Sequence, residues 1–481
     1  MGKKNKNNEE VKVEFLGNSA VDVTQSCVLI TFLGKSYLLE CGMVQGYSLD
    51  KCYTLNSQLI NSIKVEDLEC VFVGHSHIDH IGLIPAIIKN PNFHGKVITT
   101  HETKEISRLL LLDSAHLLNK EAEALTKKKR GKINPLYRES DVYKTYENTI
   151  GYDIGETYKV NENLSFKLLN NSHCLGACQI ELYFKTPSNK VKKITYTSDV
   201  GSGVLKHKPF VKEMDYSNKN NLFIMEGTYG NKDRTYTKED IKFERKDIKR
   251  NILNTIKNGG KILMPTFSFA RTQEVLKDLY DMFYDNEEFG DTPVIIDSKL
   301  SVEITACYKK ILQDEDLELI NKITKWKNVK MNKDIKGTLA NLASDKPYCV
   351  LSSQGFVAAG HSQMYAKDFL ENERNTILFV GYCPENSVGG RIMNPNTKTV
   401  KIGDRTYKKK CFVQAYKTYS SHAQHDELLN YIKMVNTDKI IIHHSSKDAK
   451  AELLEDAKQE LKKINKTTPI MGSYKNLILE L

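Results

Sequence analysis

The sequence predicts an α/β fold in which one domain is interrupted by another, and three observations carry that reading. Residues 11 to about 100 alternate short β-rich runs with turns and helical stretches. From about residue 231 the texture becomes a regular exchange of helices and apolar strands, the rhythm of a parallel sheet. After about residue 415 histidine-bearing strands return, at Tyr416–His422 and Ile440–His444, followed by a helix and a closing strand at Leu477–Leu481. The expected organisation is a tail over 1–10, a first domain over 11–230, an inserted domain over 231–415 and a resumption of the first over 416–481.

Each element has a local reason. Val11–Phe15, Cys27–Phe32, Tyr37–Leu39, Cys70–Val73 and Val97–Thr99 are β-rich runs bounded by turn residues. Residues 102–125 read as a helix with an apolar face of Leu109, Leu110, Leu112, Leu117 and Leu118. Lys127–Lys132 reads as a basic loop. In it Lys128 and Lys129 are candidate phosphate contacts, although a charge run is more often only a solvated segment. A second strand-rich region covers Leu164–Asp199. In the insertion, residues 247–257 and 272–284 read as helices, and 262–264, 294–296, 348–351 and 376–380 as strands.

Composition narrows the class. At 481 residues, 40% hydrophobic and 27% charged, the chain has the balance of a soluble globular protein with a large core. No apolar run approaches the roughly 18 residues that span a bilayer. The start, Met1-Gly2-Lys3-Lys4-Asn5-Lys6, fits neither myristoylation nor a signal peptide. Ten cysteines without paired spacing imply reduced thiols and a cytoplasmic setting. The net charge of +10 has the sign that suits a polyanionic partner.

The chemistry lies in His75-Ser76-His77-Ile78-Asp79-His80, directly after the apolar run Cys70–Gly74. Imidazole nitrogen and carboxylate oxygen suit Zn²⁺, and a strand that ends in such a cluster can aim them at neighbouring cations. His173 and Asp199 each follow another strand. A carboxylate such as Asp199 can bridge two metals because it has two oxygens. Cys174 and Cys178 stand near His173 as conceivable ligands, against the commoner reading of small buried residues.

With these residues the chain resembles the metallo-β-lactamase fold, and over nearly its whole length from Val11 the β-CASP nucleases within it, in their RNA-processing branch. That branch carries E-S-T-Y-G, here Glu226-Gly227-Thr228-Tyr229-Gly230; S-A-H-A-D, here Ser420-Ser421-His422-Ala423-Gln424; and H-G-E-x-x-A, here His444 to Ala449. Phe269–Glu274, Gly381-Tyr382-Cys383, Pro135–Val142 and Leu38–Gly46 are similar too. The resemblance implies an αββα sandwich with an inserted β-CASP α/β domain. It implies two Zn²⁺ per chain, with Mn²⁺ as a substitute: His75, His77 and His173 on one, Asp79, His80 and His444 on the other, and Asp199 bridging. His444 rather than valine at that position favours RNA over DNA. His443 is adjacent, and only strand register decides between the two.

The implied activity is hydrolysis of RNA phosphodiesters by a two-metal hydroxide mechanism with Asp79, Glu226 and His422 as catalytic residues, leaving 5′-phosphate and 3′-hydroxyl ends. Endonuclease and 5′-exonuclease action share such a site. Arg271, Arg391 and His361 join the lysines as candidate substrate contacts, each set against an ordinary surface role. The expected partners are single-stranded RNA and a homodimer or larger RNA-processing complex, with no membrane. A DNA nuclease of the same fold and a non-catalytic RNA-binding scaffold are the competing readings. Departures from the pattern feed the second: Glu40 for an aspartate beside a metal ligand, Gly227 for serine, Gln424 for aspartate, Arg234 near a usual histidine and Gln25 for glycine.

Overall fold

A computed structural model describes residues 9–129, 131–204, 210–231, 235–381 and 383–481, and no side chain at Lys129. Most of the expected tail, and Arg130, Arg234 and Tyr382, lie outside the described residues. The chain divides into two compact units, one of Met1–Gly203, Val211–Thr235 and His422–Leu481, the other of Val204–Phe210 and Tyr236–Ser421.

The split unit contains two seven-stranded sheets. The first runs, in spatial order, Ile478–Glu480, Lys12–Phe15, Val28–Phe32, Lys35–Leu39, Leu68–Phe72, Lys96–Thr100 and Thr149–Tyr152. The second runs Ile470–Gly472, Ile440–His443, Leu222–Glu226, Val191–Tyr196, Cys178–Lys185, Leu164–Asn170 and Thr157–Lys159. Both sheets therefore recruit strands from the chain beyond Ile440, which is what lets the insertion interrupt this unit without breaking it.

Alternation along the strands makes the sandwich. In Leu164–Asn170, Leu164, Phe166 and Leu168 are buried while Ser165 and Lys167 are half-exposed, the period of two that a sheet with one inner face demands. The inner faces meet in one core, where Phe72 lies 5.3 Å from Phe166 and Phe32 5.3 Å from Phe184, both edge-to-face. On the outside of the first sheet Val71 and Val97 pack with Leu111 and Ala115 of the helix His101–Lys129. Outside the second, Phe223, Ile440 and Ile442 pack with Leu428 and Ile432 of His425–Met434 and Leu453 of Lys447–Lys463. The layers are α, β, β and α.

The inserted unit is a six-stranded sheet, parallel throughout, in the order Val329–Asn332, Val294–Asp297, Cys349–Ser352, Ile262–Pro265, Thr376–Phe379 and Phe412–Ala415. All four residues of each of the four inner strands are buried, as a parallel sheet covered by helices on both faces requires. No helix among the described residues is long and apolar enough to cross a membrane.

Two expected elements differ. Tyr416–His422 is not a strand: the amides of Lys417 and Thr418 donate to the Glu244 carboxylate, and His422 has only an isolated bridge to Gly201. A side-chain acceptor has replaced the ladder. Lys127–Lys129 is not a loop but the last turn of the long helix, because lysine is a good helix former and no breaker precedes Gly131.

Phe166 has no exposed surface and touches the rings of Phe72, Tyr152 and Tyr158. Phe166→Ala is expected to remove about 3–5 kcal/mol from the split unit, read as an earlier urea transition.

Candidate metal centre

Four strand ends deliver the side chains. The strand Leu68–Phe72 leads to His75, and His77 caps the short helix Ile78–Ile81 that carries Asp79 and His80. That helix is pinned by its carbonyls: Ser26 N–H donates to Asp79 O (2.8 Å), Cys41 N–H to His80 O (2.9 Å) and Met43 N–H to Ile78 O (2.9 Å). Gly42 is what permits the approach, since a Cβ there would sit 1.6 Å from Asp79 O. The same device holds His173. A Cβ on Gly201 would lie 1.6 Å from Ser172 O, and Gly201 N–H donates to Asn171 O (2.8 Å). Ser172, Ser198 and His444 take left-handed φ of 63°, 52° and 45°, turning the chain sharply at or beside His173, Asp199 and His444.

The result is a tight cluster. His75, His77, His173 and Asp199 offer ligand atoms all within 4.8 Å of one another, and so do Asp79, His80 and His444. Asp199 joins the two groups: its Oδ2 lies 3.5 Å from His75 Nε2, 3.7 Å from His173 Nε2 and 3.3 Å from His80 Nε2, and its Oδ1 3.2 Å from His444 Nδ1. Asp79 Oδ2 is 3.5 Å from His444 Nε2 and 3.6 Å from His80 Nε2.

Electrostatics match the geometry. Burial alone would raise the Asp199 carboxyl, but the imidazoles of His444, His80 and His422 outweigh it and hold the pKa well below the usual range. Burial disfavours a charged His80, yet Asp199, Glu40 and Asp79 push its pKa well above the ordinary value. His75 goes the other way, lowered by burial and by His80, and burial lowers His77 to about 4.

The ring tautomers follow from the next layer of residues. A carboxylate can only accept, so His80 Nδ1–H donates to Glu40 Oε2 (2.6 Å). Ser198 Oγ–H donates to Glu40 Oε1 (2.6 Å) and therefore accepts from His75 Nδ1–H (3.0 Å). In their neutral forms both rings therefore turn an Nε2 lone pair to the cluster. His75 Nε2 then meets His77 Nδ1 at 2.9 Å. The buried atoms His80 Nε2, Asp199 Oδ1 and His444 Nε2 make no directed hydrogen bond among the described residues. Converging lone pairs and orphaned buried acceptors cost about 1–3 kcal/mol apiece unless something satisfies them, and this donor set fits divalent cations.

Beside the cluster, His422 Nδ1–H donates to Glu226 Oε1 (3.0 Å), and His422 Nε2 lies 3.9 Å from Asp199 Oδ2. Glu226 is fixed by two amides, Val200 N–H on Oε1 (3.0 Å) and Thr228 N–H on Oε2 (2.7 Å).

Residues 272–392 match the Beta-Casp domain and residues 406–469 the Zn-dependent metallo-hydrolase RNA specificity domain. Both matched domains are those of the β-CASP metallo-hydrolases. It is similar to Integrator complex subunit 11 of Danio rerio, 26% identical over 98% of this chain and 74% of that protein. It is also similar to the Probable RNase MJ4 of Methanocaldococcus jannaschii, 29% identical over 89% of this chain and 91% of the relative, and to the endoribonuclease ysh1 of Schizosaccharomyces pombe, 26% identical over 88% and 52%. A solved Enterococcus faecalis protein of unknown function shares the fold, with a TM-score of 0.53 at 13% identity over 98% of this chain and all of that one.

The departures of this chain from the motif pattern have physical explanations. Glu40, one methylene longer than the aspartate of the pattern, accepts from His80, Ser198, Tyr196 Oη–H (2.6 Å) and Gly74 N–H (3.3 Å). Gln25 takes φ 65°, the conformation glycine favours, and its amide is secured by Asn56 Oδ1 (3.0 Å) and Asn18 N–H (3.3 Å). A Cβ at Gly227 would lie 2.7 Å from Ile442 Cγ2 and 3.2 Å from Ser445 Oγ. Ser445 supplies a hydroxyl from the facing strand end instead, donating to Gly227 O (2.6 Å).

Other expected residues fall as follows. His444 turns to the cluster, while His443 faces Ser19 Oγ (2.8 Å), Ser473 Oγ (3.0 Å) and the ring of Phe15. Behind it the buried Lys450, lowered by burial to about 8, donates to Ala20 O and Ser473 O. Neither Cys174 nor Cys178 belongs to a metal-capable group. Arg271 is buried and engaged with Glu274, Val380 O and Ser421 Oγ. Arg391 donates to Asn386 O (2.7 Å), the exposed Lys128 pairs with Asp50, and His361 Nδ1 meets Asp297 Oδ1 (2.7 Å). Sequence reading missed Tyr196, Ser198 and Thr228. The first two flank Asp199 in Tyr196-Thr197-Ser198-Asp199, and a hydroxyl beside a metal-binding carboxylate was the available signal.

Removing Glu40 strips the acceptor from His80 and Ser198 together. Glu40→Ala is expected to weaken zinc binding about 10–100-fold, measured by chelator competition, with Glu40→Asp in between. Gly201→Ala, which forces Ser172 away, is expected to lower bound metal per chain by elemental analysis while the far-ultraviolet circular dichroism is kept.

Proposed function

We propose that this chain is a zinc-dependent ribonuclease that cleaves single-stranded RNA to 5′-phosphate and 3′-hydroxyl ends. The observation that carries the reading is the clustering of six imidazoles and carboxylates around Asp199 with the His422–Glu226 pair beside them. Support for RNA comes from the match to an RNA specificity domain, from relatives whose names are RNase and endoribonuclease, and from the histidine at position 444. Ten cysteines without paired spacing support a reducing, cytoplasmic setting, and the Integrator subunit among the relatives supports assembly into a larger complex.

His75, His77 and His173 would hold one cation and Asp79, His80 and His444 the second, with Asp199 shared. Bound there, the two cations supply an activated water and neutralise charge on the phosphate oxygens. The protein itself contributes orientation and a single proton. Glu40 and Ser198 keep His80 and His75 in the tautomers that present Nε2 inward. Glu226 holds His422 by Nδ1, so that Nε2 is the atom that gives a proton to the departing 3′ oxygen. A carboxylate on the far side stabilises the imidazolium before the transfer.

Single-stranded RNA is expected to be cut by the purified chain and spared when chelator is present; RNA intact at every zinc and manganese level would overturn the reading. Elemental analysis is expected to give about two metals per chain, and none would favour the scaffold. His422→Ala is expected to keep the metals and lose about 10²–10⁴-fold in kcat on RNA. Matched RNA and DNA oligomers run side by side test the substrate, and faster DNA cleavage would transfer the assignment to a DNA nuclease.

A further inference from the structure

Parallel α/β sheets bind ligands at the carboxyl ends of their strands. In the inserted unit, that edge carries a feature the metal centre does not use. Phe267 follows the strand Ile262–Pro265 and is 38% exposed, a large ring held at the surface. Its position is fixed from three sides. Thr272 donates to Phe267 O through N–H (3.2 Å) and Oγ (2.7 Å). Phe356 meets the ring edge-to-face, centroids 5.2 Å apart at 89°. Gly355 lies against the ring, where a Cβ would come within 3.3 Å of two ring carbons, and a Cβ at Gly381 would stand 3.7 Å away. Two glycines beside an exposed aromatic keep its surroundings bare of side chains.

The segment that places Gly355 on the ring leads to His361 in the first turn of the helix Gly360–Phe369. The two ends of this loop are tied, Gln354 N–H donating to Ser362 Oγ (2.9 Å) and Ser362 Oγ–H to Gln354 O (2.8 Å). The buried Asp297 carboxylate accepts His361 Nδ1–H at 2.7 Å, as well as Thr338 Oγ–H (2.9 Å) and the Tyr365 hydroxyl. The imidazole, 26% exposed, can then meet an outside partner only through Nε2. No carboxylate occurs in the three segments that form this rim, 265–270, 353–361 and 380–381. A fixed aromatic face, an anchored imidazole and a rim without acids make a surface for an unpaired base and its phosphate.

We propose that Phe267 stacks on an unpaired nucleobase of single-stranded RNA and that His361 Nε2 contacts a phosphate next to it. This subsite rests on the ribonuclease reading and adds where the inserted unit grips the strand. Duplex RNA, whose bases are already stacked, does not fit it.

The chain has one tryptophan, Trp326, and it is buried, so Phe267→Trp creates an exposed fluorescent reporter. Chelator-treated full-length protein separates binding from cleavage. Single-stranded oligouridylate is expected to quench the Phe267→Trp emission saturably, and duplex RNA of equal length to leave it unchanged. Phe267→Ala is expected to raise Kd for the single strand about 5–100-fold, with Phe267→Tyr close to the parent and His361→Ala intermediate. With active enzyme, the loss in Phe267→Ala falls on KM. Unquenched emission together with an unchanged Kd in Phe267→Ala, in a chain that still cleaves RNA, would overturn the subsite and leave the ribonuclease reading standing. A chain that neither binds nor cleaves RNA would overturn both.

Discussion

A carboxylate withdrawn from water and faced by imidazoles on nearly every side is the constraint the rest of the split unit serves. Asp199 is 2% exposed, and four histidines stand within 3.9 Å of its two oxygens beside His444. An isolated buried carboxylate would be neutralised or expelled. Here it stays ionised because the surrounding groups favour its charge. Such a centre cannot be made by one loop. It needs chain ends that arrive from both sheets and turn at once, and left-handed Ser172, Ser198 and His444 with the close contacts of Gly42 and Gly201 make those turns.

Glu40 has the matching role in the layer behind. Its two oxygens accept from residues that are 34 to 158 positions away, so it links the first sheet's turn to the segment of His75–His80 and to the segment that carries Asp199. The longer side chain is no loss in this setting, because Tyr196 and Ser198 converge on it. Ser445 and Gly227 show the same kind of local fit, a hydroxyl from one strand end with space left at the other.

The inserted unit divides its polar residues differently. Arg271, a natural candidate to meet a phosphate, is spent on holding its own unit together through Glu274, Val380 and Ser421. What two strand ends of its sheet leave at the surface is the Phe267 ring and the His361 imidazole, on the segments that follow Ile262–Pro265 and Cys349–Ser352. Base stacking is indifferent to sequence, which suits an enzyme whose chemistry acts on the backbone.

Most elements and the first histidine cluster were legible in the chain alone, because periodicity and the His-x-His-x-Asp-His spacing are local properties, while His173, Asp199 and His444 were reached through a resemblance. It could not choose between His443 and His444, since a shift of one residue in a strand exchanges the two faces; the pairing of Glu226 with His443 across parallel strands and the positive φ of His444 made that choice. Nor could it find Tyr196, Ser198 and Thr228, or see that Arg271 is internal and that Tyr416–His422 leaves the sheet for the Glu244 carboxylate. Those outcomes depend on which distant segments meet, and only tertiary packing brings Glu40 and Ser198, 158 positions apart, to within a hydrogen bond of each other.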